Sequence, residues 1–367
     1  MLFNTVSTMG LSRRLQGSLT DVQIELARAS DEVASGKHFD VAEHLGARTG
    51  QAVSLRNLYD EADEYLKTCS LLDGRFSTMN SAMTSILAAG QEVLASASTG
   101  LGQPSPTGTS LQIRARGALE QIIGLLNASS GNGYLFGGVE VSQPPMRDVM
   151  DNNPPLRAPM TIVQDAIAAA TGGPAAPVTA ADSAAVIATL DNLFAVRDPA
   201  TPPPLPLTDT FEGGFYVGAT TQKPGGAPNP RLTGRPDSSV ELAYGVQAND
   251  PAVRSLLEGL YMLAAVDTSK LELDAYKPYI QAAVDKLSAG TEGIRDATAQ
   301  LGIQHATLLD VAERHRTQQK ILTDQINDLE NVDPAEASVR FNQLETQIEA
   351  TESVTAFISR MRLTNYL

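Results

Sequence analysis

Residues 55–97 read LRNLYDEADEYLKTCSLLDGRFSTMNSAMTSILAAGQEVLASA, with seam positions at Leu55, Leu58, Ala62, Tyr65, Cys69, Leu72, Phe76, Met79, Met83, Ile86, Gly90, Val93 and Ala97. The steps alternate between three and four residues without a break, which is the spacing of one helix face repeated as a heptad seam. At 1.5 Å rise per residue this helix would be roughly 60 Å long. A compact core rarely contains a helix of that length, whereas a bundle of long helices needs one. Gly90 and Ala62 on the seam predict close approach of a partner helix.

A second seam of about the same length supplies that partner. It runs through Leu287, Gly290, Ile294, Ala297, Leu301, Gln304, Leu308, Val311, His315, Gln318, Leu322, Gln325 and Leu329, again in steps of three and four. Shorter seams lie at both ends of the chain. Leu15, Leu19, Val22, Leu26, Ala29 and Val33 mark the first, and Ser35-Gly36-Lys37 stops it, with Gly36 free to turn left-handed. Phe341, Leu344, Ile348, Thr351, Thr355 and Ile358 mark the last. Asp333 is placed to cap that helix, Pro334 to take its first position and Glu336 to complete a capping box.

Between these helical ends the pattern changes. A helix over about 110–128 and a short one with Leu256, Leu260 and Leu263, opened by Asp250-Pro251, flank the change. Gly131-Asn132-Gly133 is a turn, and the apolar run Tyr134-Leu135-Phe136 after it reads as a hairpin arm ending at Gly137-Gly138. Proline clusters follow at Pro144-Pro145, Pro154-Pro155 and Pro202-Pro203-Pro204. Asp182–Phe194 reads as a short helix, and Phe211–Val217 and Ser239–Val246 read as strands. The fold class is therefore mainly α, an elongated antiparallel helical bundle formed by both chain ends with a small β-containing domain inserted in the middle. Three regions are expected: 1–45 with 335–367 as a terminal coiled coil, 46–145 with 247–334 as a helical rod carrying the hairpin, and 146–246 as the insert.

Composition narrows the function. The chain has 367 residues, no Trp, 5% aromatics and a formal net charge of −15. Slender aliphatic side chains suit close helix packing. The acidic balance excludes a nucleic-acid binder, which needs a basic face, and an anionic membrane surface as partner. No apolar run approaches the about 18 residues of a membrane span, and the start lacks the basic leader and apolar run of a cleaved signal peptide. Cys69 is the one cysteine, so no intrachain disulfide can form. It is expected as a small buried hydrophobe.

Site chemistry is sparse. His38 and His44 are six residues apart, and His305 and His315 ten apart, so neither pair shares a helix face as metal ligands would. Gly131-Asn132-Gly133 precedes a strand-like run in place of the helix that a phosphate loop requires. No Gly-x-Ser-x-Gly elbow is present. Adjacent acids such as Asp31-Glu32 read as surface charge. Metal, cofactor and catalytic sites are all expected to be absent.

Three stretches together resemble the flagellin superfamily, and within it the hook-associated protein 3 family of the hook–filament junction. Val33-Ala34-Ser35-Gly36-Lys37 is similar to the element that ends the first helix of such subunits. Gly131–Gly138 is similar to the Gly-x-Tyr-hydrophobic-Phe-small-Gly hairpin of the junction family. Val332-Asp333-Pro334-Ala335-Glu336-Ala337 through Asn365-Tyr366-Leu367 resembles the shared last helix and apolar terminus. The chain departs from flagellins after Lys37, where His38–Gly46 replaces the usual Asn-x-Ala-x-Asp-Asp loop, with only Asp40 suggestive. That departure favours an alphaproteobacterial-type junction protein over flagellin, the filament subunit, which stays as the alternative.

The resemblance implies a non-enzymatic subunit, exported by the flagellar type III apparatus, whose terminal helices fold with neighbouring copies into a tube. Its implied partners are copies of itself, a neighbouring hook-associated protein, flagellin and an export chaperone. The assembly interface is then expected at Leu15, Leu19, Val22, Leu26, Val33, Phe341, Leu344, Ile348, Ile358 and Leu367. The rod core is expected at Leu58, Leu72, Phe76, Met79, Ile86, Leu301, Leu308 and Leu322.

Overall fold

The computed structural model describes residues 8–102, 108–131, 133–152, 156–173, 176–196, 207–223 and 226–364. Asn132, two of the proline clusters (154–155 and 202–204) and Leu367 lie outside them. In chain order the elements are α1 (Thr8–Ser35), α2 (Val41–Leu45), α3 (Thr49–Thr99), α4 (Gly108–Leu126), β1 (Ser129–Ser130), β2 (Gly133–Tyr134), α5 (Pro159–Thr171), α6 (Ala180–Phe194), β3 (Thr233–Asp237), β4 (Val240–Ala243), α7 (Pro251–Ala265), α8 (Leu273–Glu330) and α9 (Pro334–Thr364). The fold is mainly α, with two small antiparallel sheets among the described residues. It divides into two compact units, Met1–Glu64 with Arg314–Leu367 and Tyr65–Glu313.

In the Tyr65–Glu313 unit the seam of α3 is buried from Cys69 onward. Phe76, Met79, Met83 and Ile86 meet a single core that also holds Leu119, Ile122, Leu256, Leu260, Tyr279 and Leu287. At Gly90 and Gly290 the helices α3, α7 and α8 approach closely. A Cβ on Gly290 would sit 2.5 Å from the Leu256 backbone nitrogen, and one on Gly90 2.9 Å from a Leu256 methyl. The expected short helix with Leu256, Leu260 and Leu263 is α7. It is buried on almost every side from Val253 to Ala264, with the charged Arg254 and Glu258 among its buried residues.

The block 146–246 lies within this unit and shares its core through Ile162, Val186, Leu190, Phe211, Phe215 and Tyr216. It contains more helix than its sequence pattern suggested. α5 begins at Pro159 in the first helical position and ends on Gly172 at φ +73°, start and stop signals that flank it in the sequence. The expected strand at Phe211–Val217 is instead a single wide, π-type helical turn over Phe211–Phe215, closed by the Tyr216 N–H bonding to the Phe211 carbonyl at 2.9 Å. Alternating strand geometry would have put Phe211 and Phe215 on a sheet face. The turn stacks them at 5.8 Å in the core, and Gly214 permits it, since a Cβ there would lie 2.6 Å from the Thr208 carbonyl. Only Tyr216 keeps β pairing, opposite Met146.

The hairpin at Gly131 is shorter than expected. Ser129 pairs with Tyr134 and Ser130 with Gly133, and Gly131 takes φ +62° in the turn. Leu135 N–H still donates to the Ala128 carbonyl at 3.0 Å, and Leu135 and Phe136 both enter the core. Strand β4 covers Val240–Ala243 of the expected Ser239–Val246 and pairs with β3 through a register irregularity between Gly234 and Asp237.

Candidate assembly interface

The Met1–Glu64 and Arg314–Leu367 unit is built on two chain reversals that meet. α1 stops at Ser35, and Gly36 takes φ +71°. α8 stops at Glu330, and Asp333 accepts a hydrogen bond from Ala335 N–H at 2.8 Å to open α9. The two breaks pair with each other. His38 N–H donates to the Glu330 carbonyl and Val332 N–H to the Gly36 carbonyl, both at 3.0 Å.

Beneath them sits the Glu330 side chain, 1% exposed, with Lys37 Nζ at 3.1 Å and an Arg56 nitrogen at 2.5 Å. A carboxylate this deep is tolerable only when cations meet it. One acidic residue therefore ties the end of α1 and the start of α3 to the end of α8. Sequence spacing gives no warning of such a node, because Lys37 and Glu330 are 293 residues apart.

From this corner α1 and α9 pack along each other. On α1, Val22 and Ala29 are buried and Leu15, Leu19 and Leu26 half-buried. On α9, Ala337 is buried, and Phe341, Leu344 and Ile348 are half-buried. Val33 is the exception, 46% exposed. The inner position of that turn goes to Glu32, whose carboxylate accepts from Phe39 N–H at 3.1 Å and faces Arg340 of α9 at 3.8 Å. Arg340 also reaches Glu25 at 3.6 Å. Ile358 lies in α9 with its side chain undescribed.

α9 carries a second apolar stripe opposite the one facing α1. Val339, Ala350, Val354 and Phe357 lie within about 60° of one another around a helix that turns about 100° per residue, with Gln343 and Thr346 beside them, and all are exposed. Phe357 is 63% exposed. Ile24 of α1 adds to the uncovered surface. Burying a Val or Phe side chain fully stabilises by roughly 1.5–3 kcal/mol, so covering this stripe would contribute several such increments.

The core positions expected from the long seams divide between the units. Leu72, Phe76, Met79, Ile86, Leu301 and Leu308 are buried in the Tyr65–Glu313 core, and Leu322 is buried in the other unit. Leu58 needs correcting, because it is 40% exposed. Here the inner face of α3 steps from Leu55 to Tyr59 and then Ala62. At 100° per residue Tyr59 falls nearer the stripe than Leu58 does. The polar entries of the α8 seam behave similarly. Gln318 and Gln325 are exposed, while Gln319 and Ile326 turn partly inward, and Gln319 donates to Asp63 at 3.3 Å.

After Lys37 the chain forms the short helix α2, capped by Asp40, which accepts from Glu43 N–H at 2.9 Å. The rings of His38 and His44 stack at 3.6 Å. They border a polar cleft of about 260 Å³ with Glu25, Arg28, Glu32 and Arg340. Among the described residues no cluster of three or more His, Cys, Asp or Glu is arranged to hold a metal ion, and no helix is long and apolar enough to cross a membrane.

Two further polar nodes organise the second unit, and neither was visible in the sequence. Arg254 and Glu212 form a buried ion pair at 2.5 Å. Burial pushes the Arg254 guanidinium down and Glu212 opposes it. Arg254 also donates to the Ala195 carbonyl at 2.7 Å and the Asn249 carbonyl at 2.7 Å, joining the end of α6, the Phe211–Phe215 turn and the start of α7. Arg147 does similar work, donating to the Gly214 carbonyl at 2.7 Å and the Arg157 carbonyl at 3.0 Å.

Comparison with known families meets this geometry at both ends. Residues 6–140 match the bacterial flagellin N-terminal helical region, and residues 279–367 match the bacterial flagellin C-terminal helical region. No individual characterised protein matches the chain. The two matched regions cover more than half of the sequence and contain the paired helices α1 and α9. The chain belongs to the flagellin superfamily, whose members are structural subunits of the bacterial flagellum.

Proposed function

We propose that the chain polymerises through α1 and α9 and joins the flagellar hook to the filament. The uncovered stripe on α9 carries the first half of this reading. A helix already packed on α1 through one face, with a second apolar face opposite, is built to sit between two neighbours. Copies of the same chain are the natural occupants, since heterologous contacts between identical subunits generate rings or helical tubes. The partners are then further copies of itself, a neighbouring hook-associated protein and flagellin, with an export chaperone holding the chain before assembly. It acts outside the cell, after passage through the flagellar type III apparatus, and performs no catalysis.

The segment after Lys37 supports the second half. A capped helix with stacked His38 and His44 stands where flagellins carry an Asn-x-Ala-x-Asp-Asp loop. The filament subunit remains the competing reading, favoured by family regions that are those of flagellin. Seeded assembly separates the two. Purified chain added to hook or filament seeds is expected to add a bounded layer at the seed ends and stop. Indefinite elongation into filaments would assign the chain to the filament.

A further inference from the structure

The contact of α6 with α7 and α8 holds three ionisable groups around one point. Glu258 of α7 is 4% exposed, and its Oε2 lies 2.9 Å from Lys286 Nζ of α8. Lys286 also donates to Asp191 of α6. Two carboxylates thus share one ammonium. Glu258 Oε1 is enclosed with no hydrogen-bond partner, although the Glu258 and Asp191 carboxyls approach closely enough to bond to each other. With all three groups ionised the cluster carries one uncompensated negative charge beside the buried Glu258 carboxylate, which is costly. A single proton on Glu258 removes that charge and supplies a donor to Asp191.

We infer that this contact is a proton-dependent latch, in which a proton shared between Glu258 and Asp191 beside Lys286 clamps α6 onto α7 and α8, and loss of that proton loosens it. Several other charges on the packed elements are engaged elsewhere. Arg254, one turn earlier on α7, is held by Glu212. On α4, Arg116 donates to the Ala264 carbonyl and Arg114 pairs with Glu92. On α5, Asp165 pairs with Arg157, and on α8, Asp285 accepts from Gln281.

The direction of the titration agrees with the geometry. Burial pushes the Glu258 carboxyl up to about 7, against the pull of Lys286 and with help from Asp191. Burial also works on Asp191, but hydrogen bonds from Lys286 and Glu258 outweigh it and hold that carboxyl below its ordinary value. The raised Glu258 contributes stability that is fully present below its unfolded value and is lost as pH rises through about 7. The lowered Asp191 contributes stability present above its unfolded value and lost as pH falls through its folded one. The latch is therefore closed in mildly acidic solution and open in mildly alkaline solution.

Amide hydrogen exchange on the whole chain, corrected for the intrinsic rate, reads this directly. Between about pH 5.5 and about pH 8.5 the opening equilibrium of α6 amides is expected to rise by roughly thirtyfold. Glu258→Gln keeps a neutral donor facing Asp191 and should abolish the rise. Equal protection of α6 at both pH values in the native chain, or an undiminished rise in Glu258→Gln, overturns the latch. Should Glu258→Gln fold poorly, Asp191→Asn at the more exposed end removes the like charge. The opening step should then move to lower pH, and a step that stays in place also overturns the latch.

Discussion

Deleting Glu336–Leu367 is expected to abolish polymerisation while leaving the Tyr65–Glu313 unit folded. The deletion removes almost all of α9, and with it both the face that packs on α1 and the exposed stripe of Val339, Val354 and Phe357. α1 would then present Val22, Leu26 and Ala29 to water. A lone helix held by one apolar face is marginal, and its order comes from packing. No residue of 336–367 belongs to the core that holds Phe76, Met79 and Leu256. Electron microscopy should therefore show no polymer, while the main thermal transition persists. A truncated chain that still builds filament-bearing flagella would place the interface elsewhere.

The second large effect is expected from Met79→Asp. Met79 has no exposed surface and lies among Phe76, Met83 and Ile86 in the shared core. A carboxylate there loses its water and gains no cation. Transfer of even a neutral polar group without a partner costs about 1–3 kcal/mol by protein measurements, and an ion costs more. Against a domain stability of about 5–15 kcal/mol, the substitution should lower the melting temperature sharply or prevent folding. Leu301→Asp should behave alike, since Leu301 is 2% exposed. Leu58→Asp is the built-in control, because its position is open to solvent and such surface changes usually stay within about 0.5 kcal/mol. An unchanged melting curve for Met79→Asp would remove that residue from the core.

Periodicity made the helical frame readable. Steps of three and four residues located α3, α8, α1 and α9, and Gly36 and Asp333-Pro334 marked the reversals that the structure pairs with each other. Errors arose where a one-residue choice within the same spacing decided the face, as at Leu58 against Tyr59 and Val33 against Glu32. In both cases the alternatives differ by one helical position, and tertiary partners chose between them. Glu32 won its place through Phe39 N–H and Arg340.

The middle block was less legible for a different reason. Its order depends on single charged residues, Arg147, Glu212 and Arg254, whose partners are distant in sequence and whose spacing looks like ordinary surface charge. Glu330 hides the same way beside Leu329. The Phe211–Phe215 turn reads as a strand because aromatic residues favour strands, and only the Gly213-Gly214 pair hints that the backbone can turn there. The α5 helix could have been found from its Pro159 start and Gly172 stop.

Cells lacking this chain offer the most direct test of a flagellar junction role. Electron microscopy of such cells should show complete hooks with no filaments attached, and flagellin subunits shed into the medium. Cells that lack hooks altogether, or that carry filaments of normal length, would contradict the role.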